Sequence, residues 1–208
     1  QILTSEKTAL DWNLNQLGST GDHSFIYTNA NYALLAGIIR KVTKKPFAAA
    51  LDQTILAPLK LTHTRNFDAL SAKMPVAQGY LSENDQSYQP DDLSQALLSS
   101  LLGSGSVYMS VTDLAKVIIA AETGKIIPKK VYRQLIAAHY ADGNQYASGV
   151  AWLDDQRLLQ GMYNDNPESF STLAYFRANA ASGVVLFGNH TMTTDTVTLA
   201  QNLEALVE

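Results

Sequence analysis

The stretch Phe25-Ile26-Tyr27-Thr28-Asn29-Ala30-Asn31-Tyr32-Ala33-Leu34-Leu35-Ala36-Gly37-Ile38-Ile39 changes period part-way along. Phe25-Ile26-Tyr27 is short and β-prone. From Asn29 onward, Tyr32, Leu35, Ala36, Ile39 and Val42 recur at helical spacing, which predicts an amphipathic helix with one apolar face. Thr28 or Asn29 can cap that helix through a side-chain oxygen, and Lys44-Lys45-Pro46 close it. Tyr27 and Asn29, two apart in extended backbone, point to the same side, so a phenol and a carboxamide face one cleft. A phenol with an unperturbed pKa of ~10 is a poor base at neutral pH. A nearby cation that stabilises the phenolate makes it a useful one. Read alone, the triplet also fits a packed tyrosine ahead of an Asn helix cap.

Working outward, Ser5 to Leu17 carries Leu10, Leu14 and Leu17 at helical spacing, and Gly18 stops it. After the central helix, Pro46 opens a helix that runs to about Ile55 and ends at Pro58. Residues 62–92 are turn-rich and read as a surface excursion. Leu93 to Leu102 is a short helix, and Gly103-Ser104-Gly105-Ser106 is a hinge or tight turn. Ser110-Val111-Thr112-Asp113 fits a capping box ahead of a helix that buries Leu114, Val117, Ile118 and Ala121. Pro128 to Ala138 is another helix. Four short strands follow at 148–153, 157–163, 170–177 and 183–188, with hairpin-like connections at Asp154-Asp155 and 179–182. A final helix over 194–207 carries Leu199, Leu203 and Leu206. Helices, then an antiparallel meander, then a helix make an α+β layered architecture. We expect one domain over 1–208, with 1–145 mainly a helical lobe and 146–208 the sheet strands and terminal helix.

The 208 residues are 46% hydrophobic and 16% charged, with a formal net charge of -4 and no cysteine. That apolar fraction excludes a disordered chain, and the length supports a real core. The mildly acidic balance argues against a nucleic-acid surface. Without cysteine there is no disulfide framework and no thiol nucleophile. No apolar stretch is long enough for a membrane span. The four histidines, His23, His63, His139 and His190, lie too far apart in sequence for a local helical zinc pair.

Phe25 to Ile39 resembles the second motif region of the serine β-lactamase and penicillin-binding-protein superfamily, and within it the branch of class C β-lactamases and D-alanyl-D-alanine carboxypeptidases. The similarity continues through Ile55 to Thr64, although a Gly is usual where Lys60 stands. It runs on through Gly103 to Lys116, Tyr146 to Trp152 and Val184 to Asn189. The resemblance implies a β-lactamase-like fold and acyl transfer to a serine, with no metal or organic cofactor required. Tyr27 then acts as base and later as acid toward the leaving group, and Asn29 orients substrate or a lysine. The oxyanion hole would be backbone N–H groups, one of them near Ser169.

Two departures qualify it. The family's Ser-x-x-Lys nucleophile motif occurs nowhere in the 208 residues. Too few residues precede Tyr27 to hold the family's first helix, first strands and nucleophile helix. The chain also opens without Met, so the resemblance implies the C-terminal portion of a longer protein, inactive by itself. The third motif, a basic residue or His followed by x-Gly, falls at Tyr163-Asn164-Asp165, where cation and glycine are both replaced. Asp165 would repel a substrate carboxylate, while Tyr163 keeps a hydrogen-bond donor. Three readings follow: part of a serine hydrolase acting on cell-wall peptides, β-lactams or esters; a pseudoenzyme of the same fold binding an envelope ligand or partner; or an unrelated α+β binding module. The first two imply an extracellular or bacterial-envelope location. A missing N-terminal segment leads us to expect an open sheet edge beside the final strand, covered by that segment, a second chain or a swapped neighbour.

Overall fold

The computed structural model describes residues 5–18, 21, 25–84, 87–137, 145–153, 156–163, 169–190 and 195–206. Helix α1 (Glu6–Asn15) starts on a reciprocal capping box between Ser5 and Thr8. Helix α2 (Asn29–Thr43) ends on Lys44 in the left-handed region, φ 58°. Helix α3 (Phe47–Leu51) passes through a π-turn (Asp52–Leu56) into α4 (Ala57–Leu59). The expected stop at Pro58 is thus displaced. Pro58 sits in the first turn of α4, just after the π-turn has broken the regular i→i−4 ladder with Ala57 N–H donating to Asp52 O. The helix instead closes past it on left-handed Lys60, through Lys60 N–H to Ala57 O at 3.1 Å and Leu61 N–H to Leu56 O at 2.9 Å. Strand β1 (Arg65–Asn66) follows, then the hairpin β2 (Gly79–Asn84) and β3 (Ser87–Asp91). Helix α5 (Gln95–Ser100), strand β4 (Val107–Tyr108), α6 (Val111–Glu122) and α7 (Lys129–Ile136) lead into β5 (Tyr146–Ala147), β6 (Val150–Leu153), β7 (Gln156–Tyr163), β8 (Phe170–Arg177), β9 (Gly183–Gly188) and α8 (Thr196–Glu204). Phe25-Ile26-Tyr27 forms no strand; the segment is extended coil leading into α2.

The chain divides into two units, residues 1–76 with 93–113, and residues 77–92 with 114–208. In the first, α1 and α2 meet through small side chains. Ala9, Ala36 and Leu102 form the core with Leu10 and Phe47 against them. A methyl group on Gly37 would lie 2.9 Å from Leu10 Cδ2, so a larger residue there would require the Leu10 side chain to shift. The apolar faces expected from sequence are therefore displaced. Ala33 and Ala36 are buried on α2, whereas Leu35, Ile38, Ile39 and Val42 stand exposed as a stripe at i, i+3, i+4 and i+7. Leu14 and Leu17 are exposed as well. β1 pairs with β4, and Asp113 ties this pair to the start of α6. Ser110 Oγ accepts from Asp113 N–H at 3.2 Å, the first half of the expected box. The fully buried Asp113 carboxylate also accepts from His63 N–H and Thr64 Oγ1, both at 2.9 Å.

The second unit is built on an antiparallel sheet in the order β5-β6-β7-β8-β9. Alternate residues serve opposite faces. On one, Leu158, Leu173, Tyr175, Val184 and Leu186 pack with Val197 and Ala200 of α8. On the other, Leu159, Ala174, Phe176 and Val185 pack with Leu114 and Ile118 of α6. The terminal helix backs one face of the sheet as expected, and α6 packs on the other. The hairpin β2–β3 joins the sheet at the end of β9, through Tyr80 N–H to Asn189 O and Asn189 Nδ2 to Gln78 O, each 2.9 Å. The Phe170 ring lies so close to Gly79 that a methyl group there would come within 2.4 Å of it.

Candidate active site

Thr28 is the residue that caps α2. It is extended (φ -151°, ψ 140°), and its Oγ1 accepts from Ala30 N–H at 3.2 Å. Asn29 is thereby the first helical residue, exposed, with capping assigned to its neighbour. The extended Thr28 keeps the backbone state on which a common side for Tyr27 and Asn29 depends. Tyr27 is 57% exposed, and its ring centroid stands 6.1 Å from that of Tyr32 at an interplanar angle of 50°. Partial burial, then the neighbouring Tyr32, hold the Tyr27 phenol above its ordinary range. That direction disfavours phenolate, so use as a base requires an added cation.

Ser169, Tyr163 and Asp165 belong to the second unit. Tyr163 is the last residue of β7 and pairs with Phe170 in the β7–β8 register. Ser169 immediately precedes β8, is 0% exposed, and its Oγ has no partner among the described residues. Asp165 lies outside the described residues. Tyr27 and Asn29 lie together at one helix start, and Tyr163 and Ser169 at one end of the β7–β8 pair.

Sequence reading passed over a charged cluster inside the second unit. Arg157 is 6% exposed and carries its guanidinium over the Trp152 ring at 4.5 Å and the Tyr132 ring at 5.9 Å. Glu122 Oε1 lies 3.3 Å from Arg157 Nε and accepts from the Tyr132 hydroxyl at 2.9 Å. Burial, then Glu122, push the Tyr132 phenol strongly upward. A charged residue at the start of a short strand was the available signal. Among the described residues, no group of three or more His, Asp or Glu side chains gathers as a metal site. No helix of the described residues is long and apolar enough to cross a membrane.

A layered sheet between helices, with Tyr-x-Asn at the start of an amphipathic helix, defines a β-lactamase-like fold. The family model described as Beta-lactamase matches residues 13–207, and the chain belongs to that family. Among curated relatives, it is 28% identical over 167 residues to a putative penicillin-binding protein, PbpX, of Bacillus subtilis, covering 78% of this chain and 39% of the relative. It is 32% identical over 114 residues to the teichoic acid D-alanine hydrolase of Staphylococcus aureus, covering 53% of this chain and 27% of the relative. Among solved structures, FmtA from Staphylococcus aureus superposes with a TM-score of 0.78 at 22% identity, over 98% of this chain and 56% of the other. A D-amino acid amidase from Ochrobactrum anthropi gives 0.71 at 18% identity, over 98% and 64%. The chain thus spans less than two thirds of the length of each of these proteins, and well under half of the two curated relatives.

Proposed function

We propose that the chain supplies the Tyr27-x-Asn29 side of an acyl-transfer site in a β-lactamase-like serine hydrolase at a bacterial cell surface. The family match over 13–207, with Tyr27 and Asn29 at the start of α2, carries this reading. A serine hydroxyl from a Ser-x-x-Lys motif outside these residues attacks an ester or amide carbonyl. The adjacent lysine lowers the cost of ionising the Tyr27 phenol. Tyr27 takes the serine proton and returns it to the leaving group, and water then releases the acyl product. Asn29 orients the acyl group. Without the motif, the chain alone is inactive.

The third motif directs the substrate. With Asp165 in place of a glycine and no cation at 163, the site suits an acyl group bearing an ammonium rather than a carboxylate. A D-alanyl ester has that charge, and the name of the staphylococcal relative supports it. The test compares D-alanyl and N-acetyl-D-alanyl nitrophenyl esters as substrates of the full-length protein. The free amine is expected to be preferred, and Asp165→Asn to reduce that preference roughly fivefold, the scale of one exposed ion pair. Tyr27→Phe is expected to slow turnover ~100-fold or more. No labelling by a fluorescent penicillin, together with no ester turnover, would overturn the hydrolase reading. The altered motif at Tyr163 and Asp165 would then favour a ligand-binding pseudoenzyme.

The exposed stripe on α2 and the β9 edge are the seats we assign to the segment that carries the nucleophile, with a second chain as the alternative occupant. Among the described residues, β9 pairs along its length with β8 alone.

A further inference from the structure

We propose that Gly103 is a positioning residue for Tyr27 and Asn29, acting through the backbone of Tyr32. The inference deepens the proposed function and rests on it for its kinetic arm. Gly103 has φ 76°, and a methyl group built on it would lie 2.5 Å from the Tyr32 carbonyl oxygen, 3.1 Å from its carbonyl carbon and 3.2 Å from Ala36 Cβ. The turn after α5 therefore presses bare backbone against the first turn of α2. That turn is firmly held: Ser104 N–H at 2.9 Å, Gly105 N–H at 2.8 Å and Ser104 Oγ at 3.1 Å all donate to Leu101 O. Leu102, 3% exposed, packs into the Ala9–Ala36 core beside it.

The seat reaches the candidate site in two short steps. Tyr32 is the fourth residue of α2, and its ring stands against that of Tyr27. Asn29 lies on the same helical turn as Tyr32. Any side chain at 103 displaces the Tyr32 carbonyl, and with it the ring that Tyr27 leans on. Glycine is required here twice, for positive φ and for the missing Cβ. These requirements separate experimentally, because asparagine tolerates positive φ but carries a Cβ.

The experiment uses ¹³C-tyrosine-labelled protein and reads the ring-to-ring NOE between Tyr27 and Tyr32 in Gly103→Ala, Gly103→Asn and the control Gly105→Ala. The Gly105 methyl would meet only the Leu101 side chain, at 3.3 Å. Loss of the NOE in both Gly103 variants, with the control and the β1–β4 amide signals unchanged, is the expected result. A retained NOE in Gly103→Asn would overturn the close-approach argument, and a retained NOE in both variants would overturn the proposal. If Gly103→Ala fails to fold, Tyr32→Ala cuts the same relay with the seat intact, and unchanged mobility of the Tyr27 ring there would overturn it. In the full-length protein, Gly103→Asn is expected to lower kcat ~100-fold with KM within about twofold, the signature of a misplaced reacting group. A raised KM at unchanged kcat would contradict the proposal. Absence of wild-type turnover would sink the hydrolase reading alone and leave the NOE result to decide the positioning role.

Discussion

Arg157 brings a permanent positive charge into the interior of the second unit, and what surrounds it determines what it costs. Its side chain and that of Glu122 are 7% and 6% exposed. The Trp152 and Tyr132 faces share in balancing the guanidinium. Removing one partner of a buried pair leaves the other uncompensated, so Glu122→Gln is expected to destabilise the unit by about 3 kcal/mol in urea unfolding. Tyr132 adds a pH dependence. Its phenol is raised by burial and by Glu122, so the folded state holds the protonated form more firmly than the unfolded chain. Stability from this source is complete below the unfolded value of ~10 and is lost as pH rises toward the folded one. Tyr132→Phe is expected to flatten the alkaline limb of the stability profile. At this scale, Tyr27 and Asn29 could be singled out from sequence because they form a short local pattern. Arg157 and Gly103 were not legible, because their meaning lies in contacts with residues distant in the chain.

Among the elements, periodicity marked out helices and strands better than it marked out which faces they bury. The β8 and β9 boundaries coincide with the expected ones, because short apolar runs bounded by turn residues leave little choice. In α1 and α2 the large aliphatics suggested the buried face, but the helix–helix contact is made by Ala9, Leu10, Ala36 and Gly37. Lys60 follows from local geometry. It closes α4 at φ 55° and ψ 46°, a left-handed conformation that explains why glycine is usual there in the resembling family. Lys60→Gly is expected to raise stability by about 1 kcal/mol in thermal unfolding. Asp113, which holds the loop at His63 and Thr64 to the start of α6, works in the opposite direction. Asp113→Ala orphans two donors and is expected to cost about 2 kcal/mol or more.

At the scale of the whole molecule, the five-stranded sheet carries helices on both faces and an edge strand of sequence Gly-Val-Val-Leu-Phe-Gly. Such an edge, with no charge and no proline, lacks the usual protection against pairing with other chains. The isolated chain is expected to self-associate in sedimentation velocity runs. Phe187→Lys, at a 39% exposed position on that strand, is expected to shift the population toward monomer. The Arg157 cluster has a further, optical consequence. The protein has two tryptophans. Trp12 is 38% exposed in the first unit. Trp152, in the second, donates to Ile136 O at 2.9 Å beneath the guanidinium. Each unit therefore carries its own fluorophore in a distinct setting, and Trp12→Phe and Trp152→Phe leave emission that follows the melting of one unit at a time.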